Sequence, residues 1–279
     1  MSTRRSATTS QLDALVRREH QDPHSLLGAH PTDGGVLIRA LRPAAQSISA
    51  VLEDGGILEL APAHPGGVFE GIVTDASLPL RYQLRIEYGD GNEFTLYDPY
   101  MFTPTLGELD LHLIGEGRHE QLYERLGAHV REHEGVPGTA FAVWAPSARA
   151  VSVVGDFNSW DGRLHAMRSL GASGIWELFL PEIGSGAHYK YELLSSDGEL
   201  LLKSDPYAFA TELPPRNASV VFQSRHQWSA EDEAWVSARR EGQPLTKAMS
   251  IYEVHLGSWR LNSLEDNRTL SYLELADEL

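Results

Sequence analysis

The chain has 279 residues, a formal net charge of -16 and no cysteine, with 42% hydrophobic and 22% charged residues. This is the composition of a folded globular chain with room for about two cores, and the lack of cysteine excludes disulfides and thiolate metal sites. The acidic excess argues against nucleic acid as a partner, because that affinity comes from Lys and Arg neutralising phosphates.

The opening "MSTRRSATTS" has no apolar stretch behind its arginines, and no run of about 18 apolar residues follows it. The expectation is a cytoplasmic chain that neither crosses nor docks on a membrane. Leu12, Leu15 and Val16 share a helical phase, with Thr9 or Ser10 as N-cap, and the helix must stop before Pro23. After it the period changes to two. "VLIRAL", "SISAVL", "VFEGIV" and "YQLRIEY" are short runs bounded by Gly, Pro and Asp, spaced as the strands of a sandwich. In the last of them Tyr82, Leu84 and Ile86 share one face, and Gln83 and Arg85 the other.

From Gly117 to Gly127 the spacing of Leu122 and Leu126, with Gly127 as a C-cap, predicts a helical connector. A second set of strands then runs from "GTAFAVWAP" through "AVSVVGDF", "GIWELFLP" and "HYKYELLSS" to "NASVVF". Trp144 and Trp176 lie inside these strands and are expected in the core. Trp160 instead sits in the turn "VGDFNSWDGRLHAM", beside Asn158, Asp161 and Arg163. It is either a platform for a ligand ring or a cap over a core edge.

The two strand sets are related. Asp98-Pro99-Tyr100 returns as Asp205-Pro206-Tyr207, an offset of 205 − 98 = 107 that also places Gly67 on Gly174, Phe69 on Trp176, Tyr82 on Tyr189 and Gly91 on Gly198. Upstream, residues 42–55 resemble 145–157 at an offset of 103, as if one turn had changed length. Each unit has roughly a hundred residues, too large for a solenoid repeat. One short pattern competes for attention: "HVREH" fits H-x-x-E-H, in which His129 and His133 bind zinc on a helix and Glu132 is the base. "EGVPG" follows at once and would end such a helix, so no metal site and no cofactor is assigned.

"FAVWAPSARAVSVVGDFNSWDGRLHAM", followed by "GIWELFLPEIGSGAHYKYEL" and "SDPYAF", resembles the carbohydrate-binding module of family 48 that stands second in bacterial 1,4-alpha-glucan branching enzymes. "DPHSLLGAH" resembles the start of their first module, and "KAMSIYEVHLGSWR" (247–260) the first strand of their catalytic barrel, with "LSYLELADEL" (270–279) as the helix after it. The resemblance implies a mainly β chain: two tandem immunoglobulin-like β-sandwiches and the first βα unit of an incomplete (β/α)8 barrel. The segments are a tail and helix (1–22), the first sandwich (23–116), the connector (117–136), the second sandwich (137–226), a linker (227–246) and the barrel start (247–279). A barrel takes about 250 residues, and only 279 − 250 = 29 follow Ser250.

What the resemblance implies for function is α-glucan binding (glycogen, maltooligosaccharides), with the remainder of the barrel as the other partner. Sugar contacts of related modules fall on Trp160, Lys190 and Asn217; turn and solvated-strand roles are the alternatives for the last two. His255 and Trp259 could line a substrate groove or pack the barrel. No catalytic residue is assigned: Glu253 and Asp266 match no catalytic motif of the family. A related debranching enzyme or trehalohydrolase, or a sandwich pair acting only as an interaction scaffold, are the other readings.

Overall fold

The computed structural model describes residues 7–89, 91–243 and 246–279, in two units, one up to Ser224 and one from Arg225. The fold is mainly β.

Helix α1 (Thr9–Val16) is capped by Thr8, one residue earlier than the pattern suggests: the Thr8 hydroxyl accepts from the Gln11 amide, and the Gln11 side chain accepts from the Thr8 amide. Leu12 and Leu15 are its buried residues. Strands β1 (Gly28–Thr32), β2 (Gly35–Leu41), β3 (Ala45–Leu52), β4 (Ile57–His64), β5 (Val68–Thr74), β6 (Tyr82–Tyr88) and β7 (Glu93–Tyr97) form an antiparallel sheet in the order β1-β2-β5-β4-β3-β6-β7. Ile38 and Ala40 of β2 share a core with Ile48 of β3 and with Tyr82, Leu84 and Ile86 of β6. Strands this far apart in the order can share a core only if the sheet curls on itself.

Helix α2 (Glu108–Gly115) precedes the second module. The helix expected over Gly117–Gly127 does not form: that stretch holds a single 3-10 turn at Leu122–Glu124, and Gly127 opens a strand. A four-residue leucine spacing suits one tight turn as well as a helix, and the φ of +104° at Gly127 serves the strand entry. Strands β8 (Gly127–His133), β9 (Val136–Trp144), β10 (Ala150–Gly155), β11 (Arg168–Ser169), β12 (Ile175–Pro181), β13 (His188–Leu194), β14 (Leu200–Lys203), β15 (Ala210–Thr211) and β16 (Ser219–Val220) make two antiparallel sheets. One runs β11-β12-β9-β8; the other runs β10-β13-β16-β15, with β14 also on β13.

Phe141, Trp176 and Leu178 of the first sheet and Val151, Val153, Tyr189 and Tyr191 of the second share one core. Leu12, Leu15, Leu27, Leu41, Val68 and Tyr100 of the first module belong to that same core. At about 1.5–3 kcal/mol for each large apolar side chain buried, the seam between the modules contributes as a core does. The Tyr100 hydroxyl crosses it to donate to the Ala166 carbonyl at 3.2 Å. Trp176 is buried, but Trp144 is 58% exposed, against expectation. Trp144 is the last residue of β9, and its indole lies over Gly174, where a Cβ would come within 3.0 Å of Nε1.

The Asp-Pro-Tyr repeat does the same structural work twice. Asp98 accepts from the Tyr82 hydroxyl at 2.7 Å and from the Tyr100 amide at 3.1 Å. Asp205 accepts from the Tyr189 hydroxyl at 2.6 Å and from the Tyr207 amide at 2.8 Å. Burial pushes both carboxyls above their ordinary range. A further match, between "LLGAH" and "RLGAH", opens both modules. His30 and His129 each place Nε2 3.0 Å from the carbonyl three residues back, and Gly28 and Gly127 both have positive φ under the carbonyl of the repeat tyrosine.

The unit from Arg225 holds α3 (Ala230–Glu241), α4 (Leu256–Trp259), β17 (Leu261–Asn262), β18 (Arg268–Thr269) and α5 (Tyr272–Glu278). The strand expected within 247–260 is not formed: among the described residues nothing pairs with this stretch, and it ends in the short α4. A barrel strand needs neighbours on both edges to satisfy its backbone. Ile251, Tyr252, Leu264, Tyr272 and Leu273 are exposed, and Leu275 is the buried residue of α5.

Candidate functional site

Lys190 and Asn217 meet on the outer face of the sheet built on β13, and Trp160 is linked to that face through Asp156 and His188. Tyr189 and Tyr191 point into the core, so His188, Lys190 and Glu192 take the opposite face. Register sets Lys190 against Val154, and His188 against Val220 at the start of the neighbouring strand pair. The Lys190 ammonium donates to Asn217 Oδ1 at 2.5 Å. Lys190 is half-buried and Asn217 exposed. The pair is an ammonium and an amide side by side, three N–H donors and a mixed donor–acceptor, suited to ligand hydroxyls.

Trp160 reaches this face through Asp156. β10 runs into a tight turn in which Asn158 is buried; its Oδ1 accepts from the Gly155 amide, and its Nδ2 donates to the Val153 carbonyl, both at 2.9 Å. The chain then holds Ser159 and Trp160 at φ of +52° and +61°. A left-handed conformation costs a non-glycine residue roughly 1–2 kcal/mol, and such cost concentrates at functional positions. It leaves Trp160 37% exposed, with Nε1 donating to Asp156 Oδ1 at 3.0 Å. The other oxygen of Asp156 lies 3.0 Å from His188 Nδ1, one side chain along the face from Lys190. Asp161 is held below its ordinary range by hydrogen bonds from Arg163, whose Nη2 lies 2.6 Å away.

The remaining sequence candidates do not converge. His129 and His133 lie on a strand, bonded to the Leu126 and Thr103 carbonyls respectively, and no metal-ligating cluster exists among the described residues. In the second unit His255 Nδ1 lies 2.7 Å from the Ser258 hydroxyl, and Trp259 donates to the Tyr252 hydroxyl at 3.1 Å. His255, Glu253 and Asp266 are exposed and form no shared site. Sequence reasoning missed Asp156 and His188, which connect Trp160 to Lys190. Only the alternation of β13 could have indicated His188. No helix of the described residues is long and apolar enough to cross a membrane.

Residues 125–208 match carbohydrate-binding module 48 (isoamylase N-terminal domain), and residues 8–100 match the family described as alpha-1,4-glucan branching enzyme GlgB, N-terminal domain. The chain carries, in order, the two N-terminal modules found in 1,4-alpha-glucan branching enzymes. It is 50% identical over 99% of its length to 1,4-alpha-glucan branching enzyme GlgB of Myxococcus xanthus, and 52% identical over 98% to that of Thermobifida fusca. It spans 38% and 36% of those relatives. Among solved structures, a pullulanase of Anoxybacillus sp. LM18-11 complexed with maltotetraose aligns over 71% of this chain and 26% of its own, at 16% identity and a TM-score of 0.31. Pullulanase type I of Bacillus subtilis complexed with maltose aligns over 70% and 26%, at 19% identity and a TM-score of 0.31.

Proposed function

We propose that this chain is the glucan-binding and glucan-positioning region of a 1,4-alpha-glucan branching enzyme, and that Trp160, Lys190 and Asn217 form its glucan surface. The observation that carries the reading is the Lys190–Asn217 contact on the face to which Asp156 ties Trp160. A pyranose ring presents C–H groups to an exposed indole, and its hydroxyls exchange bonds with the ammonium and amide. Both modules are read as immunoglobulin-like sandwiches, which the shared core of the two second-module sheets supports. Residues 247–279 are read as the first βα unit of the barrel. The exposed Ile251, Tyr252, Tyr272 and Leu273 support this reading, since the rest of the barrel would cover them.

In the complete enzyme an α-1,4 linkage is cleaved and the glucosyl chain is passed to a 6-hydroxyl. This chain is given no catalytic residue in that step. His255 and Trp259 are assigned to the substrate groove. The test is mobility in native gels cast with glycogen. The parent should be retarded relative to an unrelated acidic protein, and Trp160→Ala should lose most of the retardation. Equal mobility of parent and Trp160→Ala would remove this surface from the reading.

A further inference from the structure

A cleft of about 530 Å³ lies between the β6–β7 hairpin of the first module and the Phe157–His165 turn of the second. Its size is that of a small-molecule site. Ser159 and Asp161, the neighbours of Trp160, line it. Its first-module wall carries Tyr88 and Phe94, packed edge to face with centroids 6.0 Å apart, and Phe94 is 53% exposed.

The polar groups are unusual for a packing defect. Arg42 is 4% exposed and lines the cleft; its Nη1 donates to the Leu41 carbonyl at 3.1 Å, and its charge acts on the buried Asp98 with no ion pair between them among the described residues. A guanidinium has five N–H donors. His165 also lines the cleft; burial, with the charge of Arg42, pushes it down to about 3, so it is neutral. Its Nδ1 takes the Asn158 amide at 3.0 Å, which leaves the ring proton on Nε2 as a donor. Asp161 and Glu182 supply acceptors, and the charge of the lining is +1 − 2 = −1. An anion is therefore disfavoured. Aromatic faces, planar donors and carboxylate acceptors in a cleft without net positive charge suit a neutral polyhydroxylated ring.

We propose that this inter-module cleft is a second α-glucan subsite, holding a short terminal stretch of glucosyl units against Tyr88 and Phe94, with Arg42, His165 and Asp161 on the hydroxyls. It rests on the reading that the chain binds α-glucan, but not on the Lys190–Asn217 surface. The experiment is amide hydrogen exchange on the full chain with and without saturating maltotriose, for the parent, Lys190→Ala and Phe94→Ala.

Protection of residues 86–97 by maltotriose is expected in the parent and in Lys190→Ala, and Phe94→Ala should need about ten times more maltotriose for the same protection, as for removal of one aromatic face. Phe94 is exposed, so the variant should fold, and an unchanged circular dichroism spectrum checks this. No protection of 86–97 beside protection around 188–190 overturns the cleft and leaves the surface reading standing. Protection of 86–97 alone keeps the cleft and removes the surface. Protection of neither removes both.

Discussion

The two modules share an opening turn, a strand pairing and an Asp–Tyr latch, and they differ in sheet arrangement, one curled sheet against two, and in one turn. Leu52 pairs with Tyr82 in the first module and Gly155 with Tyr189 in the second, so 52 + 103 = 155 and 82 + 107 = 189. Both sequence offsets are thus equivalent positions in space, and the extra 107 − 103 = 4 residues fall after β10. There the first module has the short link Glu53–Gly56, whereas the second has the turn that carries Trp160. Gln83 takes the place of Lys190. The shared parts hold the fold, and the added turn brings Trp160 to the candidate ligand face.

The largest effects should come from the shared parts. In Gly28→Ala the new Cβ would lie 2.3 Å from the Tyr100 carbonyl oxygen, whereas in Gly127→Ala it would lie 3.0 Å from that of Tyr207, both at positive φ. Gly28→Ala should cost about 3 kcal/mol or more, and Gly127→Ala about 1–2 kcal/mol, measured by urea denaturation. Equal costs would mean that conformation rather than contact dominates.

The latches come next. Asp205 accepts from the Tyr189 hydroxyl and, at 3.4 Å, from that of Tyr191, while Asp98 accepts from the hydroxyl of one tyrosine among the described residues, Tyr82. Orphaning a buried hydroxyl costs about 1–3 kcal/mol. Each Asp→Ala change orphans one, Tyr189 or Tyr82, because Tyr191 also reaches the Ala142 carbonyl at 3.4 Å. The two variants should therefore cost alike in the same titration, and a larger loss for Asp205→Ala would show that the Tyr191 contact counts.

Acid sensitivity should differ too. His24 and His165 are both lowered from 6.5, His24 by burial first and then by Arg168. The unfolded chain takes these protons below about 6.5, while the folded chain refuses them. Stability is therefore complete above that pH and falls as pH drops toward the folded value, about 3 for His165. His24→Phe keeps a ring against Tyr100, whose centroid lies 5.0 Å away. It should flatten the melting-temperature slope between about pH 6.5 and 5, leaving the share of His165. An unchanged slope would place the sensitivity elsewhere.

The smallest change concerns binding. Lys190→Ala should weaken glycogen affinity about 3- to 10-fold, the worth of one or two exposed polar contacts. Gln83→Ala, at the equivalent place in the first module, should leave gel mobility unchanged.

Much of this was legible in the chain. The alternation of Tyr82, Leu84 and Ile86 and the 107-residue echo carried real geometry, because strand period and a buried carboxylate leave periodic or paired marks. Glycine was harder to read. Gly127 resembles a helix cap, yet it opens a strand beneath the Tyr207 carbonyl; the match of "LLGAH" to "RLGAH" held that information. Trp144 obeyed strand propensity but sits where its strand ends. At the candidate site, the loop position of Trp160 was visible. The Asp156–His188 link was not, because it depends on which residues two strands set side by side.

The core common to both modules also changes what the peptide between them is for. Residues 116–118 are exposed, and apolar packing across the seam, not this link, holds the halves together. Cut after Glu116 and produced as two polypeptides, the halves should reassemble as a split protein, each completing the interior of the other.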